Sequence, residues 1–154
     1  MLKGLRFRFR AALRTVQGVG FLSGTPTPFF EASKRGGTAV DRLEEVVREL
    51  RAFVAEREWE QFHDPKNLAM AVASEAGELL AEYRWVSNTD ADSYSRKEGH
   101  RKRISAEAAD VGVALVLFCD RIGLDLIDAI KEKVIQNRRN YPVEQSRGRW
   151  ERPS

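Results

Sequence analysis

The chain has 154 residues, 42% of them apolar and 32% charged, with a net charge of +3. That is one domain's length, with enough apolar material for a core. The longest unbroken apolar run, residues 113–119, is far shorter than the roughly 20 residues a membrane span needs, and a lone Cys119 excludes both an internal disulfide framework and a cysteine-rich zinc site.

The charge is segregated. Residues 1–37 carry seven Lys/Arg and one acid, Glu31, whereas residues 38–154 carry 19 basic and 22 acidic residues. A basic chain ordinarily points towards nucleic acid. Here the excess sits on the leader, and the mildly acidic body argues against nucleic acid as the main partner.

The leader is first Arg-rich and acid-free, then rich in Gly, Pro, Ser and Thr, ending in Gly36-Gly37. Such a composition buries little surface and predicts a flexible or loosely docked segment. Three readings compete: a transit peptide, a surface arm gripping a neighbouring subunit through Phe29 and Phe30, and a dispensable leader. A secretory signal is disfavoured because there is no continuous apolar stretch.

From Thr38 the texture becomes helical. Leu43, Val46, Val47, Leu50 and Val54 recur at helical spacing and predict a first helix over 40–57, capped by Thr38 or Asp41. The segment from Trp59 to Pro65 breaks the pattern. Asp64 as N-cap and Pro65 at the first helical position then open a second helix running to about 85. Residues 87–93 read as a polar loop. A third helix covers roughly 96–121 and stops at Gly123. A fourth covers about 126–140, capped by Asp125 and ended by Pro142. No strand-like alternation of useful length appears. The expected body is an all-α bundle of four principal helices over 38–145, followed by a tail over 146–154.

Two of these helices carry carboxylates where a core face is expected. The second holds Glu75 and Glu78, the third Glu107 and Asp110, each pair at i, i+3 and so on one helix face. No Lys or Arg falls between Glu75 and Glu82, or between Glu107 and Phe118, and the neighbours are mostly Ala, Gly, Val and Leu. Acidic oxygens converging from two facing helices repel one another unless a cation joins them. A hard divalent ion such as Mg²⁺, with Mn²⁺ as a substitute, takes oxygen ligands and prefers a few carboxylates plus substrate phosphates. Alternatively the two pairs are solvated acidic faces of a non-catalytic helical interaction module.

The fourth helix offers a complement. Lys133 and Asn137 share a face at i, i+4, and Arg138 and Arg139 precede Tyr141. A lysine and an amide beside a metal can hold a polyphosphate and a sugar or base, whereas the terminal arginines also suit a helix C-terminus. Trp59, Phe62, Tyr83 and Trp85 flank the region, as stacking partners for a base or as packing. A di-iron site needs Glu-x-x-His on two helices; Glu60-Gln61-Phe62-His63 is a single match at a helix break. Cys119 sits in an apolar run and reads as a core thiol.

The spacing Glu75-x-x-Glu78, then Glu107-x-x-Asp110, resembles the signature of the MazG-like all-α nucleoside triphosphate pyrophosphohydrolases. Three more blocks resemble the dCTP pyrophosphatase branch: residues 58–68, with Trp59 and His63; Glu82-Tyr83-Arg84-Trp85; and residues 133–144, with Lys133, Asn137, Arg138 and Tyr141. The resemblance covers about 40–150. It implies Mg²⁺-dependent conversion of a (d)NTP and water to a (d)NMP and pyrophosphate by a homo-oligomer (dimer or tetramer). Composition adds the rest: one unpaired Cys and no export signal suggest the cytoplasm, and the charge distribution and short apolar runs predict neither a nucleic-acid nor a membrane partner. It implies Glu75, Glu78, Glu107 and Asp110 as metal and catalytic residues. Trp59, His63, Trp85, Lys133, Asn137, Arg138 and Tyr141 would contact the nucleotide, Trp85 from a neighbouring subunit. The chain departs from the pattern at Ser74, where many members have another Glu. Ala114 stands where the branch has Tyr, and Leu50 where it has His; these last two bear on base preference. A dCTP-like or modified pyrimidine nucleotide is the expected substrate, with dUTP or a phosphoribosyl-nucleotide as the alternative for the same cage.

Overall fold

The computed structural model describes residues 39–151, with side chains from Arg42 onward. The leader, Thr38 and the last three residues lie outside that range. The described elements are α1 (Ala39–Ala55), a 3-10 turn (Trp59–Phe62), α2 (Pro65–Tyr83), α3 (Ala91–Arg96), α4 (Glu98–Arg121), α5 (Leu126–Asn140) and α6 (Val143–Ser146). No strand occurs among the described residues, and no described helix is long and apolar enough to cross a membrane. The all-α expectation holds, and α1, α2, α4 and α5 are its four principal helices.

Local chemistry sets most of the boundaries. Asp64 accepts a hydrogen bond from the Asn67 backbone N–H at 2.9 Å, with Pro65 opening α2 behind it. Asp125 does the same for Asp128 N–H at 2.9 Å at the start of α5. Gly123, at φ 67°, ends α4. Its N–H donates to Asp120 O at 3.2 Å, and Leu124 N–H reaches back to Cys119 O at 2.9 Å. That pair of bonds closes the last turn as a Schellman motif, which a left-handed glycine makes cheap.

Several boundaries differ from expectation, among them the end of α1 at Ala55. Helix α1 begins at Ala39, so Asp41 sits inside its first turn instead of capping it. Helix α2 ends at Tyr83, two residues early, because Arg84 N–H bonds to Ala81 O and Val86 N–H to Tyr83 O in a tightened turn. The expected loop over 87–93 runs into α3, whose Ser95 hydroxyl donates to Ala91 O at 2.7 Å and lies 2.8 Å from the Tyr83 hydroxyl. Lys97 is extended between α3 and α4, which moves the start of the long helix to Glu98.

Helices α2 and α4 make by far the most extensive contact; α1 and α3 each pack on α4. The core lies at the end where α1 joins them. Val54, Leu68 and Leu117 are buried, with Leu50, Phe53, Trp59, Val113 and Phe118 against them. Across the same junction the Arg51 guanidinium forks onto Asp120, with Nε 3.0 Å from Oδ2. By contrast α5 makes no extended contact with any other described element.

Leu68 is the largest fully buried side chain among the described residues, 2% exposed. Leu68→Ala is expected to destabilise the fold by about 2–5 kcal/mol, the usual range for a core leucine truncation. Equilibrium denaturation with urea checks this, and an unchanged midpoint would contradict the position of the core.

Candidate metal centre

The α2–α4 contact decides which carboxylates meet. Glu75 and Glu78 lie one turn apart on α2 and face Glu107 on α4. Their ligating oxygens all lie within 4.8 Å of one another. Glu75 is 7% exposed, and Glu78 and Glu107 are half-buried. Asp110, half-buried one turn along α4 from Glu107, lies outside this group of three.

Carboxylates this close repel when ionised, by roughly 3 kcal/mol or more per pair at an effective dielectric of about 20. A small divalent cation among them replaces that repulsion with attraction. The donor set is oxygen only, which suits a hard ion and disfavours soft-metal chemistry. Glu75, Glu78 and Glu107 therefore form a set that could hold a metal ion through oxygen ligands.

The predicted nucleotide contacts fall into three groups. Trp59 and His63 lie on the 3-10 turn and its exit, at the foot of α2. That turn follows Glu58, whose φ of 53° is left-handed, and is held by Gln61 Nε2 donating to Glu58 O at 2.9 Å. Trp59 packs edge-to-face on Phe53 at 5.8 Å, so in the single chain it serves the core. Trp85, just past the end of α2, is 91% exposed. Lys133, Asn137, Arg138 and Tyr141 lie along and just beyond α5 and are exposed, the Lys133 ammonium donating to Gln136 at 2.9 Å. Helix α5 packs extensively on neither α2 nor α4.

A cleft of about 530 Å³ lies elsewhere, between α1, the C-terminal half of α4 and the start of α5, and none of the carboxylate cluster lines it. Cys119 does line it, buried, with burial pushing its thiol up from the ordinary value and so away from nucleophilic use.

Two residues of the site region gain a role only from the structure: Glu82, already part of the Glu82-Tyr83-Arg84-Trp85 block, and Arg103, which no motif includes. Arg103, on α4, donates from Nε to Glu82 on α2 at 3.0 Å and from Nη2 to the Tyr94 hydroxyl at 3.3 Å. The signal for both was positional: Glu82 lies seven residues after Glu75, and Arg103 four before Glu107.

Comparison with known proteins agrees with this geometry. The MazG-like family matches residues 70–152, and the chain belongs to that family. The matched span contains all four predicted metal residues and α5, and begins after Trp59 and His63. The chain is 40% identical over 106 residues to dCTP pyrophosphatase 1 of Mus musculus and 36% identical over 105 residues to that of Homo sapiens. These alignments cover 69% and 68% of this chain and 62% of each relative, so the chain spans a little under two thirds of their length. A crystal structure of a pyrophosphatase from Archaeoglobus fulgidus superposes with a TM-score of 0.61 at 35% identity, over 66% of this chain and 93% of that one.

His63 is 8% exposed. Burial lowers its pKa from the ordinary 6.5; Glu60 opposes that shift and Arg121 adds to it. The unfolded chain protonates at the ordinary value while the folded one resists. The stability this provides is therefore full above about pH 6.5 and is lost as pH falls through the lower native value. Thermal melts from pH 7.5 down to 5 are expected to show a falling Tm that His63→Gln flattens. An identical pH profile in the variant would contradict the burial of His63.

Proposed function

We propose that this chain is a divalent-cation-dependent nucleoside triphosphate pyrophosphohydrolase, converting a (d)NTP and water to a (d)NMP and pyrophosphate, with a dCTP-like or modified pyrimidine nucleotide as substrate. The observation that carries the reading is the convergence of Glu75, Glu78 and Glu107 to within 4.8 Å, in a family whose relatives here are named dCTP pyrophosphatases.

In this reading Glu75, Glu78 and Glu107 hold the cation, and Asp110 completes the acidic set from the next turn of α4. Bound Mg²⁺, or Mn²⁺ in its place, neutralises polyphosphate charge and polarises the phosphorus under attack. The chain's own part is to position the water and take its proton. A carboxylate of the set accepts that proton as the water oxygen bonds to phosphorus, and the bond to the departing pyrophosphate breaks in line. Trp59, His63 and Trp85 border the base, and Lys133, Asn137, Arg138 and Tyr141 contact the nucleotide.

Homo-oligomerisation follows from the same reading. Ile130 and Val134 are exposed on the same face of α5 as the half-buried Ile127, and Tyr141 and Val143 beyond it are exposed too. An apolar stripe on a helix that its own chain leaves uncovered suits a second copy, which would also cover Trp85 and bring α5 to a neighbour's carboxylates. A cytoplasmic enzyme acting on free nucleotides, with no nucleic-acid or membrane partner, accords with this reading.

Pyrophosphate release across a panel of canonical and modified dNTPs tests the reaction. The expected result is Mg²⁺-dependent release that EDTA stops and that Glu78→Ala lowers by about 10²–10³-fold, the scale of losing a charge-stabilising group, with the helical fold retained by circular dichroism. Full activity in Glu78→Ala, or none for any nucleotide with Mg²⁺ or Mn²⁺, would contradict the assignment.

Light scattering coupled to size exclusion tests the assembly. The expected species is a dimer or tetramer that Ile130→Asp with Val134→Asp shifts towards monomer. A parent protein that runs as a monomer at micromolar concentration would count against it.

A further inference from the structure

Glu82 and Arg103 continue the two functional stripes by one turn. On α2, Glu75, Glu78 and Glu82 recur at i, i+3 and i+7; on α4, Arg103, Glu107 and Asp110 recur at i, i+4 and i+7. Each set lies on one helix face. The helices run antiparallel: Leu68 meets Leu117 at one end, the carboxylates meet in the middle, and Glu82 meets Arg103 at the other. The Arg103 and Glu107 Cβ atoms are thus about one helical turn, roughly 5–6 Å, apart, with the guanidinium turned back along α4 towards Gly99 O.

Its anchoring is unusually complete. Nε donates to Glu82 at 3.0 Å, Nη1 to Gly99 O at 3.3 Å and Nη2 to the Tyr94 hydroxyl at 3.3 Å. The Tyr94 ring is itself stacked on His100 at 3.8 Å. A guanidinium has five N–H donors, so some remain beyond these three bonds, and the side chain is 51% exposed. No other Lys or Arg lies between Lys66 and Arg84 on α2, or between Arg103 and Arg121 on α4. Arg103 is therefore the cation next to the acidic cluster within these two helices.

A triphosphate carries more negative charge than one divalent ion neutralises. The additional cation must stay protonated beside carboxylates and must not compete for the metal; a guanidinium meets both requirements. A half-exposed ion pair holds its partners weakly, whereas guanidinium–phosphate bonds are stronger and directional.

We propose that Arg103 is a phosphate-binding residue held ready by Glu82: when a polyphosphate occupies the carboxylate site, the guanidinium turns its donors from Glu82 to the outer phosphates, the part that departs as pyrophosphate. Tyr94 and Gly99 keep it oriented during the exchange. This rests on the nucleotide reading above and adds a residue to it.

The test is calorimetric binding of magnesium pyrophosphate, of α,β-imido-dCTP with Mg²⁺, and of dCMP, to the full chain and its variants. Arg103→Ala is expected to weaken the first two by roughly tenfold or more and to leave dCMP within about twofold. Arg103→Lys, which keeps the charge but loses the fork, should recover part of the loss; Arg103→Gln substitutes for Ala if the truncated protein does not fold. Glu82→Gln separates the roles. If Arg103 serves the phosphates, removing its competitor leaves pyrophosphate binding unchanged or tighter. If the pair only clamps α2 to α4, Glu82→Gln and Arg103→Ala weaken binding alike and lower Tm alike, and the proposal is overturned. Pyrophosphate binding in Arg103→Ala equal to that of the parent overturns it too, while leaving the enzyme reading in place. A parent protein that binds none of the three ligands with Mg²⁺, and releases no pyrophosphate, removes the nucleotide reading and this inference together.

Discussion

The antiparallel seam between α2 and α4 is the contact on which the rest of the molecule depends. It buries Leu68 and Leu117 at one end, holds three glutamates within 4.8 Å in the middle and closes at the other end on the Glu82–Arg103 ion pair. The three regions make opposing demands. The apolar end draws the helices together through buried area, and the half-exposed ion pair adds little. Between them the glutamates push apart. A cation in the middle would turn the one repulsive stretch of the seam into an attractive one, which couples the stability of the fold to occupancy of the site.

The acidic positions are buried or half-buried, whereas Ala73, Ala76, Gly77, Ala106, Ala108 and Ala109 flank them in sequence but stand exposed. Larger residues cluster towards α1, where Val54 and Leu50 complete the core. One pair of helices thus carries a packing end and a chemical end. Helix α1 and the 3-10 turn at the foot of α2 brace only the first, with Arg51 and Asp120 linking α1 to α4.

Helix α5 is different in kind. It is well capped by Asp125, and Arg138 and Arg139 suit its C-terminal turn. Its geometry is therefore locally specified, yet it has no extended contact among the described residues. Isolated helices of this length are marginal in water, and Ile130 and Val134 stand exposed along it. Lys133 and Asn137 stand exposed on this helix.

Much was legible in the sequence because it is local. Apolar periodicity marked the principal helices, Asp64-Pro65, Asp125 and Gly123 marked their ends, and the i, i+3 spacing put each carboxylate pair on one face. These features depend on residues within a turn or two. Four residues had to wait for tertiary structure. That Glu107 joins Glu75 and Glu78 while Asp110 stays a turn away depends on how far α2 slides along α4, which distant core contacts decide. That Arg103 finds Glu82, 21 residues earlier in the chain, depends on the same register and on Tyr94, delivered by a short helix that the sequence reading took in part for loop. Helix geometry is written in neighbouring residues, whereas convergence between helices is written in their packing, and only the folded chain determines it.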